Sequence, residues 1–351
     1  MTRPGHARAD DPRWAPGAPV VVDTGRRTGL PGGMADVAVV GAGVVGLTAA
    51  VRLRQAGAAV TVLAADPPRR TVSAVAAAVW YPTRTGVDPR VLRWAAGAYD
   101  EFVRQAAAGV PGVVLRPTRM FLRDADTGVP WWGVVPADFS VCDRGEVPAP
   151  YTGLWRFTVP SVAMGPYLDW LVAELRGAGV VFRRRRLGRL DEAFEVAPVV
   201  VNATGLGAGV LCGDQAVHPA RGRVVVVTNP GLVASVRDED NPDGVTYVHP
   251  RDADVVLGGT FEPGQWDTAG APGAAAAIVR RCARLVPELA DARVLAERVG
   301  LRPVRHGGPR VEARSMSQGR RVVHAYGHGG AGVTLSWGCA DEVAALALGG
   351  E

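Results

Sequence analysis

Lysine is absent from this chain. All 39 basic residues in its 351 are arginine, and against 34 acidic residues they leave a net charge of +5. So one-sided a bias matches a GC-rich coding sequence better than a nucleic-acid surface. The densest basic run, Arg183 to Arg186, follows the apolar pair Val181 and Phe182. It has no interleaved aromatic on which a base could stack, so no nucleic-acid partner is expected. Cysteine is scarce as well. Cys142, Cys212, Cys282 and Cys339 lie far apart with no CxxC spacing, which argues against a zinc site or a disulfide framework and for a reducing cytoplasm. No metal is expected. Uninterrupted apolar runs of the ~20 residues that span a bilayer are missing, and the carboxyl end lacks the Ser-Lys-Leu peroxisomal address. No membrane partner is expected. Residues 1–33, rich in Pro, Gly and Arg without periodicity, read as a flexible extension outside the functional unit. Arg26-Arg27 precede an apolar stretch as in a twin-arginine export signal, but glycines punctuate that stretch.

What is present is a globular composition, with 48% apolar and 21% charged residues, over a length that can bury two lobes with a cleft between them. Residues 36–40 form an apolar β-branched run ending at Gly41, 44–56 have helical composition up to Gly57, and 59–64 form a second strand. This is a βαβ unit of the size that opens a nucleotide-binding fold. Downstream, 88–107 and 165–177 read as helices, and 112–123, 153–158, 180–184 and 198–202 as strands. Between Arg221 and Thr260 short strand-like runs separated by Pro, Asn, Asp and Gly indicate an antiparallel lobe. Val322 to Tyr326 returns to a buried-strand pattern and leads through glycines into a helix from about Val333 to Leu348. The fold class is therefore α/β, a discontinuous Rossmann-type domain (34–107, 165–207 and 303–351) interleaved with an antiparallel-sheet substrate domain (108–164 and 208–302).

Gly41-Ala42-Gly43-Val44-Val45-Gly46 matches GxGxxG between predicted strand and predicted helix. Gly41 allows the tight turn, Gly43 lets a pyrophosphate approach the backbone, and Gly46 lets helix pack on strand. The motif alone does not separate FAD from NAD. The acidic residue that normally holds a ribose hydroxyl is not at position 64. Asp66 is the nearest carboxylate, either in that role or as a solvated turn residue. A second glycine cluster, His324-Ala325-Tyr326-Gly327-His328-Gly329-Gly330-Ala331-Gly332-Val333-Thr334, again runs from strand to helix and offers amides to a cofactor ring.

This second cluster resembles the carboxyl-terminal signature of the D-amino acid oxidase family. Other stretches agree in order along the chain: Ala76-Ala77-Ala78-Val79-Trp80-Tyr81-Pro82, Asn202-Ala203-Thr204-Gly205, His218-Pro219-Ala220-Arg221-Gly222, Leu257-Gly258-Gly259-Thr260 and Gly300-Leu301-Arg302-Pro303-Val304-Arg305. The resemblance implies FAD, held by the first glycine turn, Thr71, Ser73, Ala77, Ala78, Val79, Leu187, Thr204, Gly205, Gly329, Gly332, Val333 and Thr334. It implies that Arg302 grips a substrate carboxylate with its fork of donors, that Tyr247 donates to the same carboxylate, and that the carbonyl of Gly330 accepts from the substrate amine. The implied reaction transfers the α-hydrogen of a D-amino acid as hydride to flavin N5, with oxygen reoxidising the flavin to give hydrogen peroxide.

The residues themselves leave alternatives. Arg302 could pair internally with a residue such as Glu312, and Tyr247 could be a core tyrosine. His328 sits in a glycine turn and is not expected to act as a base. The chain departs from the family at Ala78 (a glycine elsewhere), at Arg223 (a glutamine), and in residues 238–244, which hold no second tyrosine to act as a lid. With Tyr81 and Val79 shaping the side-chain pocket and no cation seen there, neutral D-amino acids are expected over acidic ones. A related amine oxidase of glycine oxidase or D-aspartate oxidase type, a flavin-binding protein without turnover, and an NAD-dependent dehydrogenase remain open, as does a homodimer.

Overall fold

A computed structural model of the chain describes residues 36–82, 84–124, 127–142, 147–269 and 271–349. The expected amino-terminal extension lies outside these. In chain order the elements are β1 (Asp36–Val40), α1 (Val44–Gln55), β2 (Ala59–Ala64), α2 (Pro89–Ala107), β3 (Val113–Leu122), β4 (Ser140–Cys142), β5 (Gly153–Val162), α3 (Met164–Gly177), β6 (Val181–Arg184), β7 (Val199–Asn202), α4 (Ala208–Leu211), β8 (Val217–Thr228), β9 (Ser235–Asp238), β10 (Thr246–Pro250), β11 (Asp254–Gly258), β12 (Glu262–Pro263), α5 (Ala274–Leu285), β13 (Val294–Arg305), β14 (Arg310–Ser315), β15 (Arg321–Tyr326) and α6 (Gly332–Leu348).

They form two sheets. The first has the order β14-β15-β7-β1-β2-β6, parallel throughout except for the antiparallel edge strand β14. β1 sits near its centre, with β2 on one side and β7 on the other, which makes the carboxyl end of β1 a switch point where a ligand crevice opens. Val37, Ala38 and Val39 are buried, as a strand covered on both faces requires. α6 is apolar on nearly every side and lies against both α1 and α2, with Leu335, Trp337, Cys339 and Val343 buried. The second sheet is mostly antiparallel, in the order β12-β8-β11-β10-β9-β3-β5-β4, with β13 along the other side of β8.

Seven elements went unread in the sequence. β4, β9, β12 and α4 have at most four residues each. β14 is an arginine-rich edge. β13 carries Glu297, Arg298, Arg302 and Arg305 and is half exposed, so it lacks an alternating pattern. α5 follows a Pro-Gly stretch that reads as loop. One consequence is that the domain boundary expected between Arg302 and Pro303 falls inside a single strand, β13.

Asp214, just after α4, ties the two sheets together. It accepts from Arg305 Nε of β13 at 2.9 Å and from the Tyr326 hydroxyl of β15 at 2.8 Å. Desolvation raises its pKa, but the hydrogen bonds from Arg305, Tyr326 and the Ala216 amide outweigh this and hold the carboxyl at about 2. A carboxyl held below its unfolded value of roughly 3.9 stabilises the fold above that pH, and the contribution is lost as pH falls through the folded value. Asp214→Asn should therefore be less stable than wild type in urea unfolding at pH 7, and the gap should close as pH falls from about 4 to about 2. A gap that is constant with pH would show that the charge is not what holds the joint.

Candidate active site

A cavity of about 1060 Å³ opens where the carboxyl ends of the first sheet meet one face of the second. Its cofactor side is built from two glycine turns. Gly41 has φ +116°, and a Cβ there would stand 2.4 Å from the Ala203 carbonyl oxygen. At Gly46 a Cβ would stand 2.1 Å from the Gly41 oxygen, so this glycine fits helix against turn and does not line the cavity. Gly43 meets no backbone, its nearest neighbour being the Ser73 hydroxyl, which leaves the amide side open to a ligand.

α1 begins with no acidic residue in its first turn and no cap from its own N-cap residue; the Ser73 hydroxyl accepts from the Val44 amide at 3.0 Å. α6 likewise starts uncapped and without a carboxylate. Both positively polarised helix ends, and Arg70, face one cavity, which suits a dinucleotide with an anionic centre.

Apart from Gly46, every residue expected to touch cofactor or substrate lines this cavity. Several have their side chains already engaged. Thr71 donates to the Pro68 carbonyl, Thr204 to Asn202, and Thr334 exchanges hydrogen bonds with the backbone of Tyr81. Asp66 is paired with Arg186 at 3.2 Å. Ala78 has φ +54°, which is why a glycine is at ease at that position.

Tyr247 and Arg302, the side chains expected to hold substrate, lie on the second sheet. Strand register places Met120, Arg237, Tyr247, Gly258 and Val224 in one row across β3, β9, β10, β11 and β8. The Tyr247 ring lies over Gly258, where a Cβ would stand 1.8 Å from Cζ. On the neighbouring strand pair the guanidinium of Arg302 lies over Gly222, where a Cβ would stand 2.0 Å from Nη1. Arg302 donates to the Thr260 carbonyl at 3.0 Å. Glu312 is not its partner: that carboxylate binds Arg310. Burial lowers the pKa of Arg302 and raises that of Tyr247. Gly330 lines the same cavity beyond His328, which is buried with its pKa pushed down to about 4 by desolvation.

A family model described as FAD dependent oxidoreductase, DAO, matches residues 36–346. The chain belongs to this DAO family. A D-amino-acid oxidase of Rubrobacter xylanophilus is 48% identical over 316 residues, covering 90% of this chain and 96% of that protein. Another D-amino-acid oxidase, of Streptomyces coelicolor, is 43% identical, covering 89% and 96%. The crystal structure of a glycine oxidase from Geobacillus kaustophilus superposes with a TM-score of 0.78 at 20% identity, covering 90% and 95%. FAD is the cofactor of the DAO family, and two helix ends without a carboxylate in the first turn and the open Gly43 fit it.

Sequence reading missed several members of this DAO site. Arg281 of α5 is buried and donates to the carbonyls of Val245 and Gly259, on either side of Tyr247 and Gly258. Arg237, Glu239, His249, Arg84 and Phe261 line the cavity itself, which Arg281 does not. Arg237 is buried, pairs with Glu239, donates to His249 Nε2 at 3.1 Å and lies 4.1 Å from the Tyr81 ring centroid. These residues correct the expectation of a side-chain pocket without cations. They come from β9 and the residue after it, from β10 and α5, and from two loops, one of them the loop that carries Tyr81, and no local pattern announces them.

Gly258→Ala should keep its flavin, since it leaves both glycine turns intact, while displacing Tyr247. Binding of a simple carboxylate to the holoprotein, read from the flavin spectrum, should weaken by about tenfold, the equivalent of ~1.4 kcal/mol. Gly177→Ala, with nothing within 4 Å of the added carbon, is the control. Equal affinities in the two variants would show that the close fit at Gly258 is unimportant.

Proposed function

We propose that this protein oxidises D-amino acids to imino acids, which hydrolyse to 2-oxo acids and ammonia, while molecular oxygen is reduced to hydrogen peroxide. The observation that carries this reading is a half-buried guanidinium, Arg302, facing the cofactor cavity beside Tyr247 with no carboxylate partner among the described residues. A partly desolvated charge without a counter-ion is costly, and a substrate carboxylate supplies the missing anion. Bound FAD supplies the two-electron acceptor.

The residues of the chain position the substrate. Arg302 and Tyr247 donate to its carboxylate. Tyr247 stays a protonated donor across the working pH range, because burial raises its pKa. The Gly330 carbonyl accepts from the amine, which leaves the α-hydrogen directed at the flavin. His328 is neutral at ordinary pH and is given no role in proton transfer; positioning is the main contribution. No helix among the described residues is long and apolar enough to cross a membrane. All four cysteines are free, which supports a cytoplasmic site of action.

Hydrogen peroxide and 2-oxo acid should form in equal amounts from D-alanine and other D-amino acids and not from the L-forms. Arg302→Met should raise KM and lower kcat/KM by about 100-fold or more, the ~2–5 kcal/mol typical of losing one partner of a buried charge pair. Equal turnover of L-amino acids, or an Arg302→Met enzyme with unchanged kcat/KM, would refute the assignment.

A further inference from the structure

Six arginines and two carboxylates line the cavity. Asp66 pairs with Arg186, and Glu239 pairs with Arg237. Arg185 is held by Glu192 and Glu195 outside the cavity wall. Arg70, Arg84 and Arg302 have no carboxylate partner among the described residues. Arg70 stands on the cofactor side, next to Thr71, where a cofactor diphosphate would neutralise it. Arg302 takes the α-carboxylate of the substrate. A zwitterionic substrate with a neutral side chain brings no further negative charge, so Arg84, which is exposed to solvent, is left without a counter-ion.

The position of Arg84 shows which ligand group it faces. Its guanidinium carbon lies 4.2 Å from the centroid of Phe261, and that of Arg302 lies 5.6 Å from the same ring. Two like charges thus share one aromatic neighbour at the substrate end of the cavity, and the field of Arg84 lowers the pKa of Arg302 after burial has done so. Arg84 also holds a left-handed backbone, φ +52°, which few non-glycine residues adopt. Three residues earlier on the same loop, Tyr81 lies against Arg237, but that cation is already neutralised by Glu239. A second anion at this end is therefore met by Arg84.

We propose that Arg84 is a specificity residue that receives the side-chain carboxylate of dicarboxylic D-amino acids while Arg302 holds their α-carboxylate. The proposal rests on the oxidase reading above. It replaces the expectation that acidic substrates are disfavoured, because that expectation assumed a side-chain pocket without a cation.

The test compares D-glutamate with the near-isosteric D-glutamine, which differs in charge. The ratio of their kcat/KM values should fall by about tenfold in Arg84→Leu, the loss of one charge-assisted hydrogen bond, and should lie between the two in Arg84→Lys. Raising ionic strength should depress the D-glutamate value more than the D-glutamine value in wild type, and this difference should disappear in Arg84→Leu. The flavin spectrum shows that each variant is folded and loaded. An unchanged ratio in Arg84→Leu overturns the proposal, as does a ratio that follows Arg237→Leu instead. If D-alanine is oxidised in either case, the oxidase reading stands; if wild type oxidises no D-amino acid, it is that reading that fails.

Discussion

The close approach of two side chains to two glycines is the constraint on which the substrate side depends. Arg302 and Tyr247 each occupy space that a methyl group at Gly222 or Gly258 would take. Neither can lie down on its own sheet face without a glycine on the neighbouring strand, and the pairing of β13 with β8 and of β10 with β11 puts those glycines there. The buried Arg281 then fixes the carbonyls of Val245 and Gly259 around Tyr247. These two donors are in this way pre-organised by sheet register, as the proposed grip on a substrate carboxylate requires.

The cofactor side obeys the same steric rule with a different electrostatic purpose. Gly41 and Gly46 let β1, α1 and β7 approach closely enough for the start of α1 to face the cavity, and α6 presents a second helix start without a carboxylate. Backbone amides on one sheet and a guanidinium on the other thus face the cavity separately, as the proposed binding of an anionic cofactor and a substrate carboxylate requires. Asp214 joins the two halves through Arg305 and Tyr326, so the distance between cofactor and substrate anchors is set by a buried polar link as well as by packing.

Much of this was legible in the residues. The βαβ start, the carboxyl-terminal strand, glycine turn and helix, and the placement of nearly all the expected ligand contacts in one cavity follow from runs that are local and strongly patterned. Gly46, expected both to pack helix on strand and to touch the cofactor, packs against the Gly41 turn and does not line the cavity. What escaped the sequence depends on pairing between distant strands. β9 is too short to show a period, yet it delivers Arg237 and Glu239 beside Tyr247. The purpose of Gly222 and Gly258 becomes visible only when their partners' side chains are seen across them. Ala78 in place of glycine reads as a simple departure in sequence, and the fold shows that the position keeps the positive φ regardless.

The most direct test of the central claim is the visible spectrum of the purified holoprotein before and after anaerobic addition of D-alanine, with L-alanine as the control. Bleaching of the oxidised flavin bands by the D-form alone is the expected result. A flavin that stays oxidised with every D-amino acid, or one reduced equally by the L-forms, would contradict the account.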